Sequence, residues 1–167
     1  MALAASTTLT ATAQRVTDVF TNADFIKHVS EEVGGELKSF TISGPTTAAF
    51  TTKTVRTLPT TRMPEIVQKF VGATLTVTQI ESWSAPEADG SRNNAIELKV
   101  TGAPVDIAAL QKLSATGEST LVELTGSVKS GVPFLGVKIA TAAEPVIGRA
   151  LNLQATLAQK WLDNHAS

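Results

Sequence analysis

Between residues 95 and 101 apolar and polar side chains alternate without a break, with Ile96, Leu98 and Val100 set against Glu97, Lys99 and Thr101. A period of two places the two sets on opposite faces of a β-strand. The same pattern, less clean, runs through 36–43, where Phe40 and Ile42 share a face, and through 48–58, 73–84, 105–115 and 119–129. Turn residues separate these runs at Ser43-Gly44-Pro45, Pro86 to Gly90, Gly102-Ala103-Pro104 and Thr116-Gly117-Glu118. A weaker alternation over 2–12, with Leu3 and Leu9 among threonines, predicts an edge-type strand ahead of them.

Elsewhere the period lengthens. Val16, Val19, Phe20 and Ala23 recur at helical spacing, and Phe25, Ile26, Val29 and Val33 resume it. The pattern predicts two short helices meeting near Asn22, with Asp24 as N-cap of the second and Gly34-Gly35 as its stop. Pro64, Glu65 and Gly72 bracket a short one-sided helix carrying Ile66, Val67, Phe70 and Val71. After residue 131 one helical stripe joins Leu135, Ile139, Val146, Ile147, Ala150, Leu151, Leu157 and Trp161. Pro145 lies inside this long helix and predicts a kink or break there.

The predicted order is a strand, a helix pair, six antiparallel strands with one small helix inserted, and a long C-terminal helix. This is an α+β arrangement of about seven strands. The sheet must cover its apolar face, and the terminal helix is the only element large enough to do so. A curved sheet gripping one long helix leaves a gap between the two.

Composition narrows the chemistry. The chain has 167 residues, which points to one domain over 1–167 with a sizeable core. Charged residues make up 17%, against about 25% in ordinary domains. The net charge is −1, which leaves no general basic footprint for nucleic acid. With no cysteine there is no disulfide, thiolate nucleophile or cysteine-held metal. The two histidines, His28 and His165, make no metal constellation, and no cofactor is expected. His28 reads as a helix-surface residue and His165 as part of a frayed tail. The N-terminus lacks the basic and apolar regions of a secretory signal. The most apolar long window, Gly131 to Gly148, contains Lys138, Glu144 and Pro145 and makes a poor membrane span. Cytoplasm is the default expectation. The 24 threonines concentrate in the predicted strands, where they read as a neutral face opposite or beside the apolar one.

The element order resembles the helix-grip fold of the START-like (SRPBCC) superfamily, which includes lipid-transfer proteins, polyketide cyclases and the major birch-pollen allergen. Local sequence is similar to one bacterial family within it, domain-of-unknown-function family 2505. The segments that carry this are Val55-Arg56-Thr57-Leu58-Pro59, Lys69-Phe70-Val71-Gly72, Leu75 to Gln79, Glu81-Ser82-Trp83, Gly126 to Gly136 and Ala143 to Gly148. The likeness runs from about residue 3 to residue 162. It implies a cavity able to hold an apolar molecule and brings no catalytic residues with it.

Candidate residues follow from the strand faces. Leu75, Val77, Gln79, Glu81 and Trp83 share one face of 73–84. If the first two point inward, Glu81 does as well, and a carboxyl in an apolar cavity has a raised pKa suited to acid–base work. The commoner fate of such a glutamate is solvent, through a bulge or strand end. Arg56 shares a face with Phe50 and Leu58. It would anchor a carboxylate or phosphate, or pair with Glu81, or else sit exposed or in a structural ion pair. Gln111 lies with Val105, Ile107 and Leu113, where its amide orients a ligand or satisfies a buried backbone group. The expected cavity lining is Phe50, Leu75, Val77, Gln79, Trp83, Gln111, Ile139, Val146, Ile147 and Ala150, with Glu81 and Arg56 as weak catalytic candidates. The stretch from Gly126 to Gly131 resembles a phosphate loop superficially but lacks the required spacing.

Three function classes fit. One is a binder of a small apolar or amphipathic molecule, lipid or polyketide-like. The second is a cyclase or isomerase-type enzyme using Glu81 and Arg56. The third is a protein-interaction module. A homodimer is compatible with each.

Overall fold

The computed structural model describes residues 2–61, 63–65, 68–69, 72–102, 105–133 and 136–165; for Ala2, Leu3, Ala143, Val146, Ile147 and Leu151 it describes the backbone alone. Seven strands form one antiparallel sheet: β1 (Ala2–Leu9), β2 (Glu36–Ser43), β3 (Phe50–Pro59), β4 (Thr74–Trp83), β5 (Arg92–Thr101), β6 (Val105–Thr116) and β7 (Ser119–Ser130). Their order is β1-β7-β6-β5-β4-β3-β2, a meander closed at one edge by the first strand. Helices α1 (Ala13–Phe20) and α2 (Ala23–Glu32) follow β1, and α3 (Gly136–Asn164) ends the described chain. This is the α+β helix-grip arrangement that the element order predicts.

Local chemistry explains most boundaries. Gly117 holds a left-handed φ of 69°, which lets Gly117-Glu118 turn between the paired residues Thr116 and Ser119. Helix α1 starts where the Thr12 hydroxyl accepts from the Arg15 amide at 3.3 Å. The cap of α2 is Asn22, whose side-chain oxygen accepts from the Phe25 amide at 3.0 Å. The sequence pattern put that cap two residues later, at Asp24, which instead lies in the first turn, where a carboxylate complements the helix dipole. Gly34, at φ 81°, ends α2 as expected. A Cβ on Gly35 would come within 2.4 Å of the Thr57 carbonyl, so glycine lets the end of α2 lie against β3.

Three expectations change. Helix α3 is continuous through Pro145 over 29 residues, about 44 Å, so proline does not break it. His165 is held: its ring stacks on Trp161 at 4.2 Å, and its carbonyl accepts from the Arg15 guanidinium at 2.6 Å. The threonines are not confined to a solvent face, because Thr52, Thr54 and Thr120 are buried, the last donating to the Ala11 carbonyl at 2.8 Å. Between β3 and β4, bonds from the Gln68 amide to the Pro64 carbonyl and from the Gly72 amide to the Gln68 carbonyl mark a helical segment. Ile66, Val67, Phe70 and Val71, assigned to its apolar side, lie outside the described residues. Among the described residues, no helix is long and apolar enough to cross a membrane.

Packing divides the interior. At one end, Val16, Val19 and Phe20 of α1, Phe25, Ile26 and Val29 of α2, and Leu157, Ala158 and Leu162 of α3 meet Leu9, Phe50, Trp83, Leu113 and Val122 of the sheet. At the other, a small cluster joins Val105, Ile107 and Val128 to Ile139 and Ala140 of α3. The backbone of α3 packs closely on β1, β7, α1 and α2. The middle of the sheet therefore lies between two separately packed ends.

Candidate functional site

The register of the sheet builds the middle region one row at a time. Inward positions pair across the strands as Phe50, Trp83, Asn94, Gln111 and Leu124, and in the next row as Thr52, Glu81, Ile96, Ala109 and Gly126. Thr54, Gln79, Leu98, Ile107 and Val128 form the third. Polar residues thus occupy the β3–β6 part of a face that apolar residues fill elsewhere. Gly126 is confined to glycine, since a Cβ there would lie 2.6 Å from the Ala108 carbonyl and 2.8 Å from Ala109 Cβ. Its phosphate-loop likeness ends here as well, because Gly126 to Ser130 belong to β7.

Glu81 lies at the centre and is 4% exposed, not in solvent as the commoner arrangement has it. No bulge interrupts β4 against β3 or β5, so the period of two carries the carboxyl inward with Leu75. The Gln79 amide donates to Oε1 at 2.7 Å and the Asn94 amide donates to Oε2 at 2.5 Å. Asn94 also donates to Gln111 Oε1 at 3.2 Å, tying β4, β5 and β6 into one network. Burial pushes the Glu81 carboxyl above its ordinary value. The bonds from Asn94 and Gln79, the charge of Arg56 and the Trp83 indole pull the other way without offsetting it. The indole favours the anion by its position, although its N–H falls short of a hydrogen bond.

Several buried polar atoms around this network have no partner: Asn94 Oδ1, Trp83 Nε1, Thr54 Oγ1 and Arg56 Nε. Unpaired buried groups are costly and uncommon in native interiors. Arg56 is half-buried, and burial lowers its pKa while the charge of Glu81 raises it. It makes no ion pair among the described residues; the pairs present are Lys27–Glu31, His28–Glu32 and Lys38–Glu36, all at the surface. His28 is therefore a helix-surface residue, at 4.0 Å from Glu32.

A cavity of about 30 Å³ opens over this floor. Gln79, Glu81, Ile96 and Gln111 line it from β4, β5 and β6, with Val122, Leu124 and residues 5–7 beside them. Phe20, Asn152, Gln154 and Ala155 close it from the helices. Its volume suits about two waters.

Of the residues expected to line a cavity, Gln79 and Gln111 do so, and Glu81 joins them. Phe50 and Trp83 belong to the large apolar cluster, where their rings stack at 5.5 Å. Leu75 is buried and Val77 half-buried away from the cavity, and Ile139 sits in the small cluster. Ala150 is exposed, which corrects its place in the lining. It stands three turns after Ile139 and two before Leu157, on their stripe. Ala150 thus faces solvent on a stripe whose flanking members Ile139 and Leu157 are buried. The side chains of Val146 and Ile147 lie outside the described residues.

The pattern reading missed Asn94 and Ile96 as floor residues and Asn152, Gln154 and Ala155 as the roof. Strand β5 begins at Arg92, three residues before the clean alternation, because its first inward residues are polar. Arg92 is 1% exposed and donates to the carbonyls of Thr46, Ala48 and Ser84 at 2.8 Å, over the faces of Phe50 and Trp83. A buried, fully engaged arginine gives no hydrophobic signal, yet it places Asn94 one inward step away.

A family model described as a protein of unknown function, DUF2505, matches residues 4–162. No curated protein matches the chain. Among solved structures, the Zhui aromatase/cyclase from Streptomyces sp. R1128 is 11% identical, with a TM-score of 0.62, covering 100% of this chain and 96% of that one. Norcoclaurine synthase from Thalictrum flavum is 14% identical at a TM-score of 0.57, with 100% and 96% covered. A START superfamily protein from Mycobacterium smegmatis is 13% identical at 0.56, with 98% and 97% covered. At these identities the likeness shows the START-like fold.

Proposed function

This chain belongs to the DUF2505 family, and we propose that it binds a small amphipathic molecule in the hollow between the middle of the sheet and α3. One observation carries the reading: Gln79, Glu81 and Gln111 line a cavity on the inward face of β3–β6, and at neighbouring positions of that face, outside the lining, four buried polar atoms lack partners. Packing alone favours apolar side chains at such positions, and orphaned groups there reduce stability. A ligand supplying the missing partners offsets that cost. Apolar neighbours Ile96, Val122 and Leu124 suit the body of such a molecule, and the polar floor suits its functional group.

Ligand pockets commonly hold on the order of 300 Å³ or more. A molecule of that size enters only if α3 lifts from the sheet. The exposed Ala150 and the small side chain of Ala155 mark where the helix is least engaged. Small molecules retained by protein purified from its own cells test the reading, by solvent extraction and mass spectrometry. Near-stoichiometric recovery, lost in a folded Ala155→Trp variant that fills the roof, is the expected result. An empty wild-type protein that also ignores added amphiphiles would overturn it.

A second reading, a cyclase or isomerase-type enzyme, draws support from the raised pKa of the enclosed Glu81. With its pKa raised by burial, the carboxyl donates to a ligand carbonyl when protonated, and its conjugate base takes a proton back. Arg56 makes no direct pair with it, so in this reading it serves the ligand's charge and not Glu81's. Turnover abolished in Glu81→Gln with ligand affinity retained separates an enzyme from a binder; equal turnover in both proteins rejects the catalytic role.

A further inference from the structure

Polar groups beside the hollow also define the charge of what it takes, an inference that rests on the binding reading above. Arg56 and Thr54 occupy successive inward positions of β3, opposite Val77 and Gln79. Arg56 Nε and Thr54 Oγ1 are both buried with no acceptor, and Thr54 is 1% exposed. Arg56 Nε–H can only donate, and the Thr54 hydroxyl can donate beside it, so one acceptor serves both. The only charge acting on Arg56 among the described residues is Glu81. Glu81 is not its counter-ion in contact. It faces Thr52, four residues along β3 from Arg56, so the two charges act on each other without forming an ion pair, and its oxygens already accept from Gln79 and Asn94. Burial also makes the Glu81 anion costly, which weakens it further as a neutralising partner. A half-buried guanidinium thus stands beside an unpaired hydroxyl, within the field of Glu81 but in contact with no anion among the described residues.

We propose that the ligand is an amphipathic carboxylate, its anionic group taken by the Arg56 guanidinium and the Thr54 hydroxyl and its apolar body directed over Ile96 and Leu124. One cation calls for one negative charge. A phosphate monoester dianion would leave an excess charge buried, whereas a carboxylate matches the planar guanidinium fork.

The test uses the full chain at pH 7.5 and isothermal titration calorimetry with three probes of one chain length: decanoate, decan-1-ol and decylammonium. Decanoate is expected to bind about tenfold or more tighter than either other probe, the scale of a charge-assisted contact. The ratio of decanoate to decanol affinity is expected to fall to about one in Arg56→Gln. Should Arg56→Gln fail to fold, Thr54→Val is expected to lower the same ratio several-fold. Equal binding of decanoate and decanol, or a ratio unmoved by these changes, would overturn the anion inference and leave the hollow as a binding site. Absence of binding by all three probes would overturn both.

Discussion

The two ends of the interior and the hollow between them share one sheet face but are built on opposite principles. Where α1, α2 and the last turns of α3 meet the sheet, every buried polar side chain on the helices has a partner. Thr17, Thr21 and Ser30 donate to the carbonyls four residues back, each at 2.8 Å, and aromatic rings close the remaining space. In the middle of the sheet Asn94, Thr54 and Arg56 bury atoms with no partner near an enclosed carboxyl, and Trp83, at the border with the packed end, buries one more. Alternation is equally regular in both regions, so strand geometry is not the cause. The difference lies in which residues occupy three inward rows. One region is closed by its own side chains; the other is left chemically incomplete, as a binding floor is.

Mutations should separate the regions in order of effect. The largest change is expected in the packed end. Phe25 is fully buried and meets Trp161 edge-on at 5.6 Å, so Phe25→Ala should destabilise by about 3–5 kcal/mol in denaturant unfolding. A loss under 1 kcal/mol would mean that this end is not the anchor. In the hollow the sign depends on the replacement. Glu81→Gln keeps an acceptor for one of the two amides, and its NH2 finds an acceptor in Asn94 Oδ1 if that amide turns over, whereas Glu81→Leu strands both Gln79 and Asn94. The glutamine variant should exceed the leucine variant in stability by about 1–3 kcal/mol.

Titration of Glu81 adds a pH dependence. Its folded value lies above the ordinary one near 4.5, so the native state holds the proton more tightly than the unfolded chain. The resulting penalty is absent below the unfolded value and grows as pH rises from there through the folded value. Stability of the wild type relative to Glu81→Gln should therefore decline across that window. A difference independent of pH from 4 to 8 would show that Glu81 ionises as it does in water. The smallest effect distinguishes two threonines. Thr54→Val removes an unpartnered hydroxyl and should stabilise by up to about 1 kcal/mol, while Thr17→Val breaks its bond to the Ala13 carbonyl and should cost about 1 kcal/mol. Equal losses at both positions would erase the contrast.

Much of this was readable from the chain. Strands with alternating faces, the helix pair and the long terminal helix follow from hydrophobic period and turn residues. The inward path of Glu81 is the less common of the two outcomes that the Leu75–Val77 face leaves open, and the unbroken register of β4 selects it. What escaped was the chemistry that interrupts the pattern. Arg92 and Asn94 hide the start of β5, because inward polar residues look like a loop. Asn22 outcompetes Asp24 for the cap through a one-turn hydrogen bond that a residue count does not resolve. Ala150 repeats the helical stripe yet faces solvent, since a helical period says which side a residue is on and not whether a sheet reaches it. The space enclosed by Gln79, Gln111 and Ala155 depends on how far α3 stands from the sheet, and no local pattern encodes that distance.

The most direct measurement is nuclear magnetic resonance of the side-chain amides of Gln79, Asn94 and Gln111 during titration with decanoate. If the hollow is a ligand site, these three resonances shift together and saturate, while the methyl groups of Leu113 and Val16 in the packed end stay in place. Shifts confined to surface residues, with the three amides unmoved at saturating probe, would contradict it.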